Sequence, residues 1–511
     1  MTITSWISSV NPFVLFSLAK EEPKKGKDII SKAKDSSHKE NANPKEKIHR
    51  QLTSLGRFTL RSQTDENPSN ISFFVAFAHD KKDALPIQDF QQLWINRVMS
   101  HHERFHFAID DDDHYFKDLK KPIDHYIQQV PNHPETEHEL KERIQDMLLS
   151  PMNVNSKLWE AQYSTGEYGS SNAIFNAEND NHNYEQETLC LFKVHHSLCD
   201  GVSISVAIGD CTDESNILKQ KIMEEYKRRR EAHDAMFFLL ALRRSLLKLF
   251  AFIVAVLVSL SLQFWKMLVS SDPFKHVVNG DMGIGSSVEF RNIASLKEIK
   301  AVAKSFSKRT TVNDVACVIV SYAIQKQIEE HAKNNNNVKV PKKINITIPV
   351  HLTGGILLPG QQLGNKIGGF VASVPIGDSW KPTDRVKAIS KELAFQKKLP
   401  SPYISWYLAR IFTAYFPEWV TKWSLRRFSA NSCAAISNVR GFPIPVHFDS
   451  RQVKMICAFV PLPPGIPIGI VVSSYDGEVS FGLNCDHKIV PDAVKFGDWM
   501  LEEYNRLLKN I

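Results

Sequence analysis

The sequence predicts an α/β protein with two domains or one large pseudo-symmetric pair of halves. A chain of 511 residues exceeds the length that one hydrophobic core usually supports. Its composition, 43% hydrophobic and 23% charged, is that of a globular protein and excludes a wholly disordered chain or a small disulfide scaffold. Strand-like and helix-like patterns are mixed on both sides of a central apolar segment, which indicates the α/β class.

The patterns before the apolar segment predict two strands and a helix. The apolar runs at 71–77 (ISFFVAF) and 188–195 (TLCLFKVH) have the length and composition of strands. The pattern at 87–99 is that of an amphipathic helix. Residues 172–187 are polar and are expected to form a surface loop.

The patterns after the apolar segment predict a second set of mixed elements. Helices are expected at 296–304 and 311–330, and a strand at 342–350. Asp476-Gly477 is a strong two-residue hairpin signal between strands at 468–474 and 478–486. A last amphipathic helix is expected at 493–508.

The apolar segment and the N-terminal region divide the chain. Residues 20–50 are rich in Lys, Glu, Ser and Asn and are expected to form a solvated linker. Residues 1–19 are apolar, and an interfacial anchor and a mobile terminus stay open for them. Seventeen uncharged residues lie between Lys248 and Lys266, at the lower edge of the length that spans a bilayer. The predicted division is a tail at 1–50, a first half at 51–225, a basic and apolar membrane-associating segment at 226–285 and a second half at 286–511.

Charge and cysteine content exclude some functions. The net charge of +7 is modest and does not indicate a nucleic-acid-binding protein, but it suits an acidic membrane surface or an anionic cosubstrate. The seven cysteines are odd in number and form no C-x-x-C pair, so neither a zinc ribbon nor a disulfide framework is expected. A reduced chain that faces the cytosol is the better expectation.

The heptapeptide HHSLCDG at 195–201 is the feature that carries chemistry. Adjacent histidines at a strand end point to opposite sides, so one of them faces a given cavity. Asp200 beside Gly201 permits a tight loop that folds back and holds an imidazole. The pattern therefore predicts a histidine general base presented by a rigid strand; the alternative is a pair of core histidines.

A second motif, HERFH at 102–106, matches the zinc-binding pattern H-E-x-x-H. Four aspartates follow at 110–113, and no convincing third ligand lies downstream. A metal site is therefore not expected.

The heptapeptide is similar to the H-H-x-x-x-D-G signature of the CoA-dependent acyltransferase superfamily, which includes condensation domains of nonribosomal peptide synthetases. The chain as a whole resembles the wax ester synthase/diacylglycerol acyltransferase family, in particular its plant-type members. Five further segments carry this resemblance: KLWE at 157–160 with Lys157 at the family's proline, TVNDV at 311–315, LGN at 363–365, SNVRG at 437–441 with Arg440 at the family's proline, and Pro491-Asp492.

The resemblance implies two similar halves, each a mixed sheet with helices, around a central channel, with an interfacial apolar helix between them. It implies acyl transfer from acyl-CoA, a cosubstrate, with no cofactor and no metal. His196 would be the general base. His195 and Asp200 would support it structurally, and the N–H of Gly201 would lie near the developing oxyanion.

Asn313, Asp314 and Asn438 are the substrate-binding candidates that the resemblance supplies. A covalent acyl-enzyme through Ser197 or Cys199 stays open as an alternative to direct attack by the alcohol.

The expected acceptor is a long-chain alcohol or diacylglycerol, giving wax ester or triacylglycerol, and the other expected partner is a membrane surface. We expect the protein at the endoplasmic reticulum or plasma membrane with its active site on the cytosolic side. Two alternatives stay open: an enzyme acting on a smaller acceptor, and a non-catalytic lipid-binding relative. The intact His196 and Asp200 oppose the second, and Lys157 and Arg440 mildly favour it.

A single membrane crossing would place the two halves on opposite sides of the bilayer and leave no shared site. We therefore expect the apolar segment to lie in the interface or to form a re-entrant hairpin broken near Arg243-Arg244.

Overall fold

The computed structural model describes residues 48–64, 67–110, 115–167, 184–241, 245–269, 274, 285–334 and 340–509. The described strands are β1 (Ile48–Gln51), β2 (Asn70–His79), β3 (Phe107–Ile109), β4 (Tyr115–Asp118), β5 (Ile127–Gln129), β6 (Trp159–Glu167), β7 (Gln186–His195), β8 (Ser286–Ser295), β9 (Lys343–His351), β10 (Ile367–Pro375), β11 (Ala434–Val439), β12 (His447–Phe448), β13 (Arg451–Phe459), β14 (Ile468–Tyr475) and β15 (Glu478–Asp486).

The described α-helices are α1 (Ser54–Ser62), α2 (Ile87–Trp94), α3 (Glu137–Leu149), α4 (Gly201–Cys211), α5 (Ser215–Ala241), α6 (Ser245–Val269), α7 (Leu296–Phe306), α8 (Val312–Asn334), α9 (Pro382–Gln396), α10 (Ser401–Tyr415), α11 (Glu418–Ser429) and α12 (Ala493–Leu508).

Two six-stranded mixed sheets form the two bodies of the molecule, which confirms the predicted α/β class. The first sheet has the order β12-β13-β2-β7-β6-β5 and the second β10-β9-β11-β14-β15-β8. A three-stranded sheet, β1-β4-β3, accompanies the first body. Each body has its own apolar core, because the strands present large aliphatic and aromatic side chains to the helices that cover them.

The two bodies interlock instead of following the chain order strictly. β12 and β13 come from the C-terminal part of the sequence, yet β13 pairs antiparallel with β2 in the first sheet. A third apolar cluster joins the bodies, where Phe74 of β2 contacts Phe290 of β8 edge to face at 5.2 Å between ring centroids. The predicted division at 51–225 and 286–511 stays a prediction. Because β13 comes from the C-terminal part of the chain and pairs with β2, it connects the two walls of any site between the bodies.

Most predicted elements have the expected positions. The strands at 71–77 and 188–195 are the centres of β2 and β7, and α12 has the predicted bounds. The hairpin between β14 and β15 turns at Asp476-Gly477, where φ is +46° and +82°. Such positive φ values are what a two-residue hairpin turn requires, which is why this dipeptide predicted it.

Four expectations need correction or fall wholly or partly outside the described residues. The helix predicted at 87–99 is α-helical to Trp94 and continues as one π-turn over Ile95–Met99. The predicted tail ends earlier than residue 50, because β1 pairs with β4. The rest of that tail (1–47), most of the predicted loop (172–183) and the predicted break at Arg243-Arg244 lie outside the described residues.

The central segment forms α5 and α6. Within the part of the chain that the structure describes, no helix is both long enough and apolar enough to cross a membrane.

Candidate active site

The heptapeptide at 195–201 lies between the two bodies. β7 ends at His195, a tight turn follows, and α4 begins at Gly201 with Asp200 as its N-cap. The backbone N–H of His196 donates to the Ser69 carbonyl at 2.9 Å, and the side-chain amide of Asn365 donates to the His196 carbonyl at 2.8 Å. The turn is thus held by one residue from each body.

His195 is fully buried and locked in one neutral form. Its Nε2–H donates to Oε1 of Gln63 at 3.0 Å, and its Nδ1 accepts from the Ser197 hydroxyl at 2.7 Å. Burial, together with His196 and Lys193 nearby, lowers its pKa from the usual 6.5 to about 3. A residue so enclosed supports the turn and cannot meet a substrate.

His196 has the opposite environment. Its ring is half-buried and forms part of the wall of a cavity between the bodies. Its Nδ1 is buried without a hydrogen-bond partner among the described residues. Of the two histidines, His196 is the one placed to exchange a proton with a bound molecule.

Asp200 joins the turn to the second body through His351, a residue that the sequence analysis missed. Oδ1 of Asp200 accepts a hydrogen bond from the backbone N–H of Ser203 at 2.9 Å. Oδ2 of Asp200 accepts from the backbone N–H of Lys366 at 2.9 Å and lies 3.4 Å from Nε2 of His351. Burial alone would raise the pKa of Asp200, but His351 and the two backbone donors outweigh it and lower the pKa. Asp200 therefore stays ionised and ties the catalytic turn to β9.

The L-G-N turn at 363–365 completes this connection. The carbonyl of Gly364 accepts from the N–H of Asp200 at 3.2 Å and from the hydroxyl of Ser203 at 2.9 Å. Together with the bond from Asn365 to His196, these contacts explain why a short turn far away in sequence belongs to the site.

The cavity beside His196 is apolar and has a volume of about 480 Å³. Its walls come from α1, α4, β9–β11, β13, β14 and the inner sides of α6, α10 and α11. Arg440 and His196 are its only charged or readily titrated described lining residues, and no described Asp, Glu or Lys lines it. Such a space favours a long apolar chain over a polar ligand.

A second cavity of about 840 Å³ lies against the other side of α4 and is polar. Arg440, Gly441, Phe442 and Ser205 line both cavities, so the two meet there. The charged and histidine residues of the second cavity are His101, His102, Glu103, Arg104, Asp210, Lys219, Lys221, Glu225 and Arg440. Lys219 pairs with Asp210 at 2.9 Å, and Arg440 pairs with Glu225.

The SNVRG segment at 437–441 forms the wall between the cavities. A Cβ at Gly441 would lie 1.7 Å from the Ser474 carbonyl oxygen, so only glycine permits this approach to β14. The backbone carbonyl of Arg440, the residue at the family's proline, accepts from the Ser205 hydroxyl of α4 at 3.3 Å. Arg440, in place of the family's proline, thus adds a basic side chain where the two cavities meet. Its backbone is hydrogen-bonded to α4 through Ser205.

The three substrate-binding candidates lie away from both cavities. Asn438 donates a side-chain hydrogen bond to Asn313, and neither residue lines a cavity. Asp314 caps the start of α8, where its Oδ2 accepts from the N–H of Thr311 at 2.9 Å. Their predicted role in substrate binding stays a prediction.

The covalent alternative finds a poor nucleophile. Cys199 is fully buried, and burial together with Asp200 raises the pKa of its thiol far above the usual range. Ser197 is also buried, and its hydroxyl is committed to His195. His196 is thus the residue of the turn that is open to the cavity.

The H-E-x-x-H residues are used elsewhere. Nε2 of His102 lies 2.7 Å from Asp210, and Nε2 of His106 bonds the Met99 carbonyl at 3.2 Å. In the described part of the chain, no group of three or more His, Cys, Asp or Glu side chains is placed to hold a metal ion.

Comparisons with known proteins bear on the family and on the fold. The family description "WS/DGAT C-terminal domain" matches residues 363–508. Wax ester synthase/diacylglycerol acyltransferase 2 of Arabidopsis thaliana is 22% identical over 401 residues, which are 73% of this chain and 77% of that protein.

Two solved structures share the fold. The wax ester synthase/diacylglycerol acyltransferase of Marinobacter aquaeolei VT8 superposes with a TM-score of 0.56 at 14% identity, covering 90% of this chain and 99% of the other. The starter condensation domain of rhizomide synthetase in complex with C8-CoA gives 0.51 at 8% identity, covering 88% and 94%.

The fold is therefore that of condensation domains and CoA-dependent acyltransferases, with the H-H-x-x-x-D-G turn at the meeting point of the two bodies. Residues 363–508 match the C-terminal domain of the wax ester synthase/diacylglycerol acyltransferase family, and most of the chain is similar to two proteins of that name, which confirms the resemblance that the motifs predicted. These similarities support an acyltransferase activity on lipids.

Proposed function

We propose that the protein transfers a fatty acyl group from acyl-CoA to a long-chain alcohol, to diacylglycerol or to both. The observation that carries this proposal is the position of His196, in the wall of an apolar cavity that meets a polar cavity at Arg440 and Gly441. The apolar cavity suits a lipid and the polar cavity suits a charged cosubstrate, and the residues that line both, Ser205 and 440–442, mark where the reacting end of the cosubstrate would enter the cavity that contains His196.

The polar cavity is the proposed site of the CoA moiety. Lys219, Lys221 and Arg440 line it and match the phosphates of CoA in charge. Two of these side chains are paired with Asp210 and Glu225, so a phosphate would exchange with those carboxylates. The condensation domain in complex with C8-CoA, which shares the fold, supports CoA as the donor.

The apolar cavity is the proposed site of the lipid chains. Its lining holds no described carboxylate or lysine, and its volume lies in the range of ligand sites. The names of the relatives, wax ester synthase and diacylglycerol acyltransferase, support a long-chain alcohol and diacylglycerol as the acceptors.

His196 would act as the general base. The neutral imidazole accepts the proton of the acceptor hydroxyl while its oxygen attacks the thioester carbonyl. The tetrahedral intermediate then collapses: the C–S bond breaks, the proton passes from His196 to the departing sulfur, and free CoA and the ester leave. Gly201, which lines the apolar cavity at the N-terminus of α4, supplies a backbone N–H and the positive end of the helix for the oxyanion.

Product analysis tests this proposal. Membranes from cells expressing the full chain are given labelled palmitoyl-CoA with hexadecanol or with diacylglycerol, and lipids are separated by thin-layer chromatography. We expect labelled wax ester, triacylglycerol or both, and a loss of about 10²- to 10⁴-fold in His196→Ala. The exposed His138→Ala is the matched control and should keep full activity.

Two results would count against it. Product formation that survives His196→Ala would exclude this base. Absence of product with either acceptor from folded protein would favour a smaller acceptor, and then a lipid-binding protein without activity.

A further inference from the structure

Three helices of the second body expose an unusual amount of apolar surface. α6, α10 and α11 contact one another, and large apolar side chains on them, or at the end of α10, are between 40% and 82% exposed. We call these residues the apolar face: Phe250, Ile253, Leu257, Leu260, Phe264, Trp265, Tyr407, Ile411, Tyr415, Phe416, Trp419 and Trp423.

The pattern on α6 indicates that this face does not meet water. Ala251, Ala255 and Ser259 are buried at a spacing of four, so one side of the helix packs inward. A surface helix usually carries charged residues on its other side. Between Phe250 and Trp265 the sequence has none, and every exposed position in this stretch except Ser261 is large and apolar.

The same three helices form part of the wall of the apolar cavity. Leu262 and Gln263 of α6, Leu408 and Phe412 of α10, and Leu425 of α11 line it. Only one layer of helices therefore lies between the apolar face and the cavity that contains His196.

The chemistry of the face fits a lipid bilayer better than another protein. Three of its side chains are tryptophans and two are tyrosines, the residues that prefer the headgroup region. Arg410, Lys422, Arg426 and Arg427 lie on the same helices, and Glu418 is the one described acidic residue of α10 and α11. This excess of positive charge complements anionic lipid headgroups.

The seam between α6 and α10 connects this face to the cavity. The hydroxyls of Ser259 and Ser401 are 2.7 Å apart, and Nε2 of Gln263 donates to the Ser401 carbonyl at 3.3 Å. Ser401 and Gln263 both line the cavity. The side chains that hold the seam closed are therefore small or flexible.

We propose that the apolar face rests in the headgroup region of a bilayer, and that the lipid acceptor passes from the bilayer into the cavity along the seam between α6 and α10. The docking is independent of the proposed reaction, whereas the acceptor path rests on it.

Vesicle flotation tests the docking without any turnover. The full chain is mixed with vesicles of phosphatidylcholine, with and without about 30% phosphatidylserine. We expect flotation that increases with the anionic lipid, and at least about tenfold weaker binding for Trp419→Ser/Trp423→Ser. Val494→Ser on α12, 45% exposed in the wild type, removes a comparable apolar side chain elsewhere and should bind as the wild type does.

Several results would overturn the docking. A wild-type chain that does not float would do so, as would a double variant that floats equally well, since another segment would then bind the lipid. Sedimentation that gives a dimer in the wild type and a monomer in the double variant, with equal flotation, would assign the face to a second copy of this chain.

A reversible cross-link tests the acceptor path. Ser259→Cys/Ser401→Cys places two thiols where the hydroxyls now touch, so oxidation would close the seam. We expect oxidation of this variant to leave its flotation unchanged and to lower its transfer to vesicle-borne diacylglycerol or hexadecanol at least about tenfold more than its transfer to a short water-soluble alcohol. Reduction should restore it, and the wild type under the same oxidant is the control.

The experiment distinguishes failure of the proposed acceptor path from failure of the proposed acyl-transfer function. Equal transfer to vesicle-borne acceptor with the seam closed would overturn the path alone. Absence of transfer to every acceptor in the reduced wild type would overturn the proposed function and, with it, the path, while the flotation result would still decide the docking.

Discussion

The two cavities that meet at Arg440 and Gly441 share a wall but differ in chemistry. The apolar cavity has Arg440 as its one charged lining residue among those described, whereas the polar cavity is lined by charged residues of both signs. The first is walled mainly by strands and by the inner sides of helices, and the second by α4, α5 and the loops at 100–107 and 355–363. Polar and apolar linings thus lie on the two sides of one short segment, residues 440–442.

The turn itself is the most constrained part of this arrangement. His195 fixes it to the first body through Gln63, and Asp200 fixes it to the second through His351 and Lys366. These contacts hold His196 in its position in the wall of the apolar cavity.

The largest effect we expect is the pH dependence of stability that His195 causes. Its pKa is about 3 in the folded chain against 6.5 normally. Between these values the unfolded chain binds a proton that the folded chain does not, so the free energy of unfolding decreases as the pH falls. The full contribution, up to about 5 kcal/mol, is present above pH 6.5 and is lost progressively below it.

Denaturation by urea at a series of pH values from neutral to about 4 measures this effect. His195→Gln should give a flatter dependence on pH than the wild type. An equal slope in both proteins would mean that His195 is not the neutral anchor of the turn.

The next effect is a loss of turnover when His351 is removed. His351→Ala leaves Asp200 buried without its side-chain partner and lets the turn move relative to both cavities. We expect kcat to fall by about 10²-fold while KM for both substrates stays the same. His351→Gln keeps a hydrogen-bond donor and should therefore recover part of the lost kcat. A changed KM with normal kcat would place His351 in a binding site instead.

A smaller effect is expected on the KM for acyl-CoA when Arg440, a lining residue of the polar cavity, is changed. Arg440→Glu places a second carboxylate beside Glu225 and repels a phosphate, so KM for acyl-CoA should rise about tenfold with KM for the acceptor unchanged. Lys297→Glu makes the same charge change at an exposed position on α7. A rise in the acceptor KM alone would reverse the assignment of the cavities.

The smallest effect comes from the apolar side. Ala409→Leu adds bulk to the cavity wall, so transfer involving the longest chains should fall a few-fold while shorter chains react normally. Ala414→Leu, an exposed position on the same helix, is the control. The rates are measured by competition between acceptors of different chain length. An equal loss of transfer at every chain length would mean that this cavity does not set the chain-length preference.

The sequence predicted what is local. The H-H-x-x-x-D-G residues are contiguous, so their resemblance to a family identified the turn, and Asp476-Gly477 identified the hairpin because the dipeptide itself favours the turn. It did not predict His351, because a histidine that ends an ordinary strand pattern carries no sign of the partner it will meet.

The cavities and the exchange of β13 were also out of reach of sequence reasoning. The walls combine residues more than 300 positions apart, such as Leu55 and Arg440. The alternating pattern of β13 indicates a strand but not which sheet the strand joins. The predicted location at the endoplasmic reticulum or plasma membrane, with the site facing the cytosol, stays a prediction.

We propose that the polar cavity binds CoA and that the apolar cavity binds lipid. Hydrogen–deuterium exchange of the full chain with and without CoA tests it most directly, because no variant is needed. We predict slower exchange at residues 202–225 and 355–363, which line the polar cavity, and no change at 401–429, which line the apolar cavity. Protection at 401–429 alone, or at neither region with CoA in excess, would contradict it.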